Sequence, residues 1–321
     1  MSEAEYFLII DGHALIYRAY HAFPGLTTKK GQLVNAVFGF SRHILASLRQ
    51  VRPTYIAVAF DHPTPTFRHT DYAEYKANRA KMPEDLRPQV EIVKEIVKAM
   101  NFPIFEVAGY EADDLIGTLS CKVRELSLAE DPSEPCLKTM IVTGDRDTFQ
   151  LVNETTQVWL PGRSKQQPDQ EYNREAVYKR MGVYPEQIVD LKALMGDASD
   201  NIPGVAGVGE KTATTLMQQF GTLDGVYQAI EKPEGMTELQ RTVLKPKLID
   251  KLLADKESAF MSRQLATIKC DSPLDLDLEA CRVSSYDKEK VAEIFTELDF
   301  KSLIPLLPAD AFELGVQDAL L

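Results

Sequence analysis

The sequence predicts an α/β fold, a mostly parallel doubly wound sheet followed by a helical region. Three observations carry this. Short apolar or β-branched runs recur at 7–10, 55–60, 104–107, 140–143 and 158–160, and read as buried strands. Between them lie stretches with helical spacing: Val37, Phe40, Ile44, Leu45 and Leu48, then Val90, Val93, Ile96 and Val97, then Leu115, Leu119 and Val123. After about Tyr172 the strand signal fades, and helical segments follow with breaks at Pro185, Pro203, Gly221, Pro233 and Pro246. The expected division is an α/β core over 1–172 and a helical region over 173–321. In such a sheet, ligands bind beyond the carboxyl ends of the strands.

The length of 321 residues, with 44% hydrophobic and 26% charged residues, allows a sizeable core and argues against a disordered or fibrous chain. No run reaches the ~18 apolar residues of a membrane helix, and the first ten residues lack the pattern of a signal peptide. A soluble cytoplasmic protein, monomeric and without a membrane partner, is expected. Four cysteines, Cys121, Cys136, Cys270 and Cys281, are scattered without a CxxC pair, so free thiols are expected rather than a zinc site or a disulfide framework. The balance of 36 basic against 48 acidic residues gives −12, which counts against nucleic-acid binding by bulk attraction. Carboxylates gathered around bound cations would change that reading, because their charge is then cancelled locally.

The strands are followed by acid. Asp11 follows FLII, Asp61 follows IAVAF, and Asp145 with Asp147 follow MIVTG. GYEADD places Glu111, Asp113 and Asp114 just past the third strand, and MGDASDN places Asp197 and Asp200 at the start of the helical region. A single Asp at a strand end is most often a cap or turn residue. Nine acids at one sheet edge repel one another, and such a gathering is tolerated mainly when divalent cations sit in it. Oxygen-only ligands favour Mg²⁺ or Mn²⁺. Two such ions about 3.5 to 4 Å apart can generate a hydroxide nucleophile and stabilise a leaving oxygen at phosphorus. The chemistry implied is phosphodiester hydrolysis. FLIIDGHAL also resembles the nucleophile motif of haloacid dehalogenase-type phosphatases, but DxDGT needs an earlier Asp where this chain has Ile9.

IPGVAGVGEKTA carries Gly204, Gly207, Gly209, Lys211 and Thr212. It is not a Walker loop, since Glu210 separates Gly209 from Lys211 and no apolar strand precedes it. A hairpin between two helices fits, with small residues letting backbone N–H groups approach a phosphate and Lys211 adding charge; a tight interhelical turn with no ligand stays open. FRHTDYAEYKANRAKMP brings Arg68, Tyr72, Tyr75, Lys76, Arg79 and Lys81 together after Asp61. Basic groups contact phosphates and aromatic rings stack on bases of single strands, although a solvated helix would look similar. The five histidines offer no triad or metal spacing.

Several long motifs stand in one order: DGHALIYRAYHAF, FDHPTPTFRHTDYAEYKANR, GYEADDLIGTL, TGDRDTFQLV, LMGDASDNIPGVAGVGEKTA and RQLATIK. On these the chain resembles the 5′-nuclease domains of bacterial DNA polymerase I, within the flap endonuclease family, from about Phe7 to Leu303. The resemblance implies a PIN-like core, a helical arch over about 68–98 and a helix-three-turn-helix over about 186–230. It implies a Mg²⁺- or Mn²⁺-dependent, two-metal 5′-3′ exonuclease and flap endonuclease acting in replication and repair on DNA with 5′ ends or flaps, RNA-primed ends included. Carried over by motif, Asp11, Asp61, Glu111, Asp113, Asp114, Asp145, Asp147, Asp197 and Asp200 match the metal acids. Lys76 and Arg79 match catalytic basic residues of the arch. Arg18, Arg68, Tyr75, Lys76 and Arg79 match DNA contacts, as do Gly204, Gly207, Gly209 and Lys211 of a hairpin that often takes a monovalent cation such as K⁺. A DNA polymerase acting in trans is a further partner implied, since a freestanding nuclease or an excised fragment is expected from the extent of the chain. Two other readings are an inactive module that binds DNA structures, against which the complete acid set stands, and a related nuclease acting on RNA.

Overall fold

The computed structural model describes residues 5–23, 25–129, 137–162, 167–283 and 286–309. Six strands form one sheet in the order β3-β2-β1-β4-β5-β6. These are β1 (Tyr6–Asp11), β2 (Tyr55–Ala59), β3 (Ile104–Phe105), β4 (Lys138–Val142), β5 (Thr156–Leu160) and β6 (Gln170–Tyr172). The first five run parallel, with Ile9 opposite both Ala57 and Ile141; β6 is antiparallel to β5, with Tyr172 opposite Val158. The chain leaves β1 toward β2 on one side and returns to β4 on the other, so the strand order reverses at β1. Open α/β sheets bind ligands at that crevice.

The helices are α1 (Gly12–Ala22), α2 (Asn35–Val51), α3 (Phe67–Asp71), α4 (Arg87–Ala99), α5 (Ala112–Ala129), α6 (Arg174–Met181), α7 (Ile188–Met195), α8 (Glu210–Phe220), α9 (Leu223–Glu231), α10 (Glu238–Val243), α11 (Pro246–Ala254), α12 (Lys256–Ala266) and α13 (Lys288–Glu297). No helix among the described residues is long and apolar enough to cross a membrane. Both faces of β1 are covered, which is why it reads as an unbroken apolar run. Leu8 and Ile10 pack with α1, α2 and α4 residues, and Phe7 and Ile9 pack with α5 and the helices beyond Tyr172.

Three features add to the sequence reading. One apolar cluster spans the 172/173 division, running from Phe7 and Ile141 through Leu119 to Leu191, Leu216 and Val226. The chain after α12 also returns to the sheet, where Phe295, Phe300 and Leu303 join Leu8 and Val58 on the opposite face. Strand β6 carries no apolar run because it is an edge, with Gln170 and Glu171 exposed and only Tyr172 turned inward.

The expected arch over 68–98 contains one five-residue helix, α3, and then turns; α4 belongs to the core, with Val93, Ile96 and Val97 fully buried. The turns replace a helix because their polar groups bond across to the 197–201 loop. The Lys76 N–H donates to the Asp200 carbonyl (2.9 Å) and Lys76 itself takes a left-handed φ of 55°. The Asn78 side chain donates to the Ala198 carbonyl (2.7 Å), and the Asn201 side chain to that of Glu74 (2.7 Å). Backbone groups left out of a helix ladder need such partners.

Candidate functional site

The carboxyl ends of β1, β2 and β4 place Asp11, Asp61 and Asp145 around the strand-order reversal. Asp11 ends β1 and caps α1, its Oδ1 accepting from the Ala14 N–H (3.0 Å) and its Oδ2 from the Thr143 hydroxyl (2.6 Å). Burial, with the charges of Asp61 and Asp145, outweighs those two hydrogen bonds and pushes its carboxyl up to about 7. Asp61 accepts from the Ala112 N–H (2.8 Å), which ties the end of β2 to the start of α5. Its own N–H donates to His13 Nδ1 (3.0 Å). Burial lowers the His13 pKa, so the imidazole is a neutral prop under this loop.

Helix α5 opens with Asp113 and Asp114, which diverge in environment. Asp113 keeps a solvent-facing edge, yet the surrounding protein and the like charges of Asp145 and Asp11 hold its carboxyl well above the usual range. Asp114 is completely buried and meets Arg68 in a two-pronged pair of 2.7 and 2.8 Å. Asp145 accepts from the Asp147 N–H (2.9 Å), and burial with the Asp145 charge pushes Asp147 up to about 6. Those mutual influences link Asp61, Asp11, Asp145, Asp113 and Asp147 into one patch.

The helical region adds the remaining acids through α7 and the loop after it. Gly196 ends α7 at φ 72°, and a Cβ there would lie 2.6 Å from the Ile202 carbonyl oxygen. Gly204, at φ 65°, lies against Gly196 so closely that a Cβ would stand 2.2 Å from the Gly196 nitrogen. This crossing of two glycines is possible only without side chains. It closes the 197–202 loop, where the Asp197 and Ile202 N–H groups donate to each other's carbonyls (2.9 and 2.8 Å). Asp200 accepts from the Tyr75 hydroxyl (3.3 Å), pairs with Arg79 and lies 3.7 Å from Lys76 Nζ, which is also 2.8 Å from Glu111.

Sequence reasoning missed Lys192. This lysine, on α7 with a side chain only 8% exposed, joins Asp147 of the core to Asp197 of the loop. Burial alone would lower the ammonium pKa and raise that of Asp197. Their attraction prevails: Lys192 is raised, and Asp197, with Ser199 also donating to it, falls to about 2. The available signal was a lone lysine inside the apolar run LKALM.

Of the two arginines expected to face phosphate, one is placed differently. Arg68 is buried rather than facing a phosphate: besides Asp114, its guanidinium donates to the carbonyls of Leu265 (2.9 Å) and Thr267 (2.7 Å). Its electrostatic partner is 46 residues away in sequence, beyond any local pattern. Arg18 donates to the Pro161 carbonyl and borders a cleft of about 1170 Å³ that also touches Asp145, Arg42 and His43. Tyr75, Lys76 and Arg79 do meet the acid patch.

The glycine hairpin follows directly. Gly207 takes φ 72°, and Gly209 is the N-cap of α8, whose first N–H groups have no side-chain cap. Lys211 is exposed in that first turn. A helix start with open N–H groups and an adjacent ammonium attracts anions. The hairpin is held from behind by α12 and the residue before it: the Gly204 N–H donates to the Ser262 hydroxyl (3.0 Å), and the Ala206 N–H to Asp255 (2.7 Å).

Among the described residues no three carboxylate, imidazole or thiol groups already stand in the arrangement of a metal site, and Lys76, Arg79 and Lys192 occupy several of the carboxylate oxygens. The donor chemistry nevertheless fits a divalent cation. The patch offers oxygen ligands only, and the raised carboxyls of Asp11, Asp113 and Asp147 are those that a nearby cation would return to the ionised form.

Comparison with known proteins gives this geometry a family. Residues 6–182 match the 5′-3′ exonuclease N-terminal resolvase-like domain, and residues 183–289 match the 5′-3′ exonuclease C-terminal SAM fold. DNA polymerase I of Caldicellulosiruptor bescii is 41% identical over 301 residues, covering 94% of this chain and 33% of that protein. DNA polymerase I of Chloroflexus aurantiacus is 44% identical over 311 residues, covering 94% and 31%. The chain thus spans about a third of the length of these relatives. Bacteriophage T5 5′-exonuclease with bound zinc aligns at a TM-score of 0.63 and 21% identity, covering 93% of this chain and all of the other. A pseudo-enzyme-product complex of the T5 flap endonuclease with DNA and metal ions aligns at 0.62 and 22%, covering 94% and 99%. The catalytic core of Rad2 in complex with DNA substrate aligns at 0.57 and 17%, covering 95% and 93%. The fold is therefore that of the flap endonucleases, and the chain belongs to the 5′-3′ exonuclease family, homologous to the 5′-nuclease region of DNA polymerase I.

Proposed function

We propose that the chain is a structure-specific 5′-3′ exonuclease and 5′-flap endonuclease, hydrolysing DNA phosphodiesters, RNA-primed ends included, in replication and repair. The observation that supports this most is that one connection, 196–209, carries Asp197, which Lys192 joins to Asp147 of the patch, together with Asp200, and also ends in the open start of α8. A duplex phosphate held at α8 and a scissile phosphate at the acids would thus be engaged by one piece of backbone.

On this reading Asp11, Asp61, Glu111, Asp113, Asp145 and Asp147, with Asp197 and Asp200 from the loop, would hold two or more Mg²⁺ or Mn²⁺ ions, whereas Asp114, matched to a metal acid by motif, is taken up instead by its buried pair with Arg68. Bound there, divalent ions supply a hydroxide nucleophile and neutralise the leaving oxygen. The chain's own groups do the rest. Lys76 and Arg79, now paired with Glu111 and Asp200, present positive charge where negative charge develops at the phosphate. Tyr75 anchors that segment through Glu111 and Asp200. Lys211 and the α8 N–H groups hold the duplex at a distance from the acids.

The test is an end-labelled 5′-flap duplex incubated with the purified chain, with Mg²⁺ and with a chelator. Metal-dependent release of short 5′ products is expected. Tight binding with no product under any divalent ion would instead assign a DNA-structure-binding module.

Three further outcomes are expected. Lys76→Ala and Arg79→Ala each slow single-turnover cleavage at saturating enzyme by roughly 10²-fold while changing affinity less, since one electrostatic donor to developing charge is commonly worth about that much. An unchanged single-turnover rate would remove these residues from the site. Lys211→Ala weakens binding about equally for all DNA sequences and lowers the salt slope of log affinity by roughly 1, leaving the single-turnover rate near wild type.

The raised acids give a pH dependence. Native Asp11, Asp113 and Asp147 keep protons that the unfolded chain releases above its ordinary carboxyl pKa. Without metal they therefore make stability fall as pH rises from about 4 to about 7. Metal competes with those protons, so Mg²⁺ should raise the melting temperature more at pH 8 than at pH 5. Equal shifts at both values would count against a carboxylate metal centre.

A further inference from the structure

We propose that Cys121 and Cys270 are an oxidation site, a pair of thiols that a peroxide converts into a reversible intramolecular disulfide between α5 and the segment after α12. The geometry is specific. Residues 268–272 lie along α5 as a strap: the Lys269 N–H donates to Asp114 (2.9 Å), and the Ser272 N–H to the Thr118 hydroxyl (3.0 Å). The strap lies close because α5 has a glycine beneath it. A Cβ at Gly117 would be 2.6 Å from the Ile268 side chain, 2.7 Å from the Lys269 carbonyl oxygen and 3.5 Å from Cys270 Sγ. Cys121 stands one helical turn beyond Gly117, on the same face. That places its thiol beside the thiol of Cys270, close enough for each to shift the titration of the other.

Access and reactivity agree with this placement. Cys270 is exposed and Cys121 partly so, whereas Cys281 is buried. The neighbouring Cys270 thiol draws the Cys121 thiol down to about 7, while Cys121 and burial raise that of Cys270, so Cys121 supplies the thiolate. Its sulfur attacks one peroxide oxygen, the O–O bond breaks, and the departing hydroxide takes the proton lost from Cys121. The resulting sulfenic acid is attacked by the Cys270 sulfur. The S–O bond breaks, and the hydroxide leaves as water with the Cys270 proton. Two thiols are oxidised and one peroxide is reduced to two waters.

The test uses the full chain treated with hydrogen peroxide, alkylated and digested without reduction. A peptide linking Cys121 to Cys270 is expected, about two mass units lighter than the sum of its reduced halves and lost on adding dithiothreitol. Because the bond closes a loop of about 150 residues, the melting temperature should rise by several degrees. Cys270→Ser, a change at an exposed position, should remove both the cross-link and the rise while leaving the reduced protein's melting temperature unchanged. Chain-to-chain dimers, links that use Cys136 or Cys281, or sulfinic acid at Cys270 with Cys121 still alkylated would each overturn the assignment.

Discussion

Asp113→Asn is expected to lower single-turnover flap cleavage in Mg²⁺ by roughly a thousandfold or more, while DNA affinity stays within a few-fold of wild type. A ligand that helps place a divalent ion contributes several kcal/mol to the transition state, and about 1.36 kcal/mol is lost per tenfold in rate. Affinity is spared because phosphate contacts away from the chemistry supply most of it. The same substitution should make the protein no less stable in chelator. Asp113 faces the like charges of Asp145 and Asp11, and an amide removes that repulsion. Loss of activity together with retained or raised stability is a signature that a merely damaged fold does not give. Wild-type cleavage rates in the variant would remove Asp113 from the metal centre.

The largest loss of stability is expected from Arg68→Ala. Asp114 has no exposed surface, and its two strongest hydrogen bonds come from the Arg68 fork. Removing one partner of a buried ion pair leaves an uncompensated charge and typically costs about 3–5 kcal/mol. The carbonyls of Leu265 and Thr267 lose donors as well. Chemical denaturation should show the midpoint falling accordingly, with Arg68→Lys intermediate because an ammonium keeps the charge and loses the fork. At a temperature where the variant stays folded, the salt slope of DNA binding should match wild type. A slope lower by about 1 would return Arg68 to the phosphate contacts expected from sequence.

Arg68 also shows where the sequence stops being legible. The five parallel strands were readable because buried strands are continuous apolar runs, and the acids were readable because they follow those runs directly. The alternation of strand and helix then brought Asp11, Asp61 and Asp145 to one edge without any knowledge of contacts. Charge alone does not say whether an arginine faces water or a buried carboxylate: Arg68 and Arg79 occur in the same basic stretch, yet one is buried beneath α12 and the other half-exposed at the loop. The partners of Lys192 were hidden for a related reason, since they come from separate stretches that only tertiary packing brings together. The turns over 72–86 could not be told from a helix, because what stabilises them is the carbonyls of Ala198 and Asp200. The return of α13 to the sheet was likewise hidden, as its apolar spacing does not say which face it covers.

The crossing of Gly196 over Gly204 makes the 197–202 loop a clasp rather than a tether. Its two ends touch, so its span does not lengthen or shorten as the residues between them move. The start of α8 is thereby held at a set reach from Asp197 and Asp200, and continuous apolar packing from α7 and α8 to the sheet extends that constancy to Asp11 and Asp145. In the proposed nuclease the molecule would work as a caliper, with the rim of the sheet as one jaw and the end of α8 as the other. The distance between a phosphate gripped there and the carboxylates would then be a property of the backbone, independent of which bases lie between.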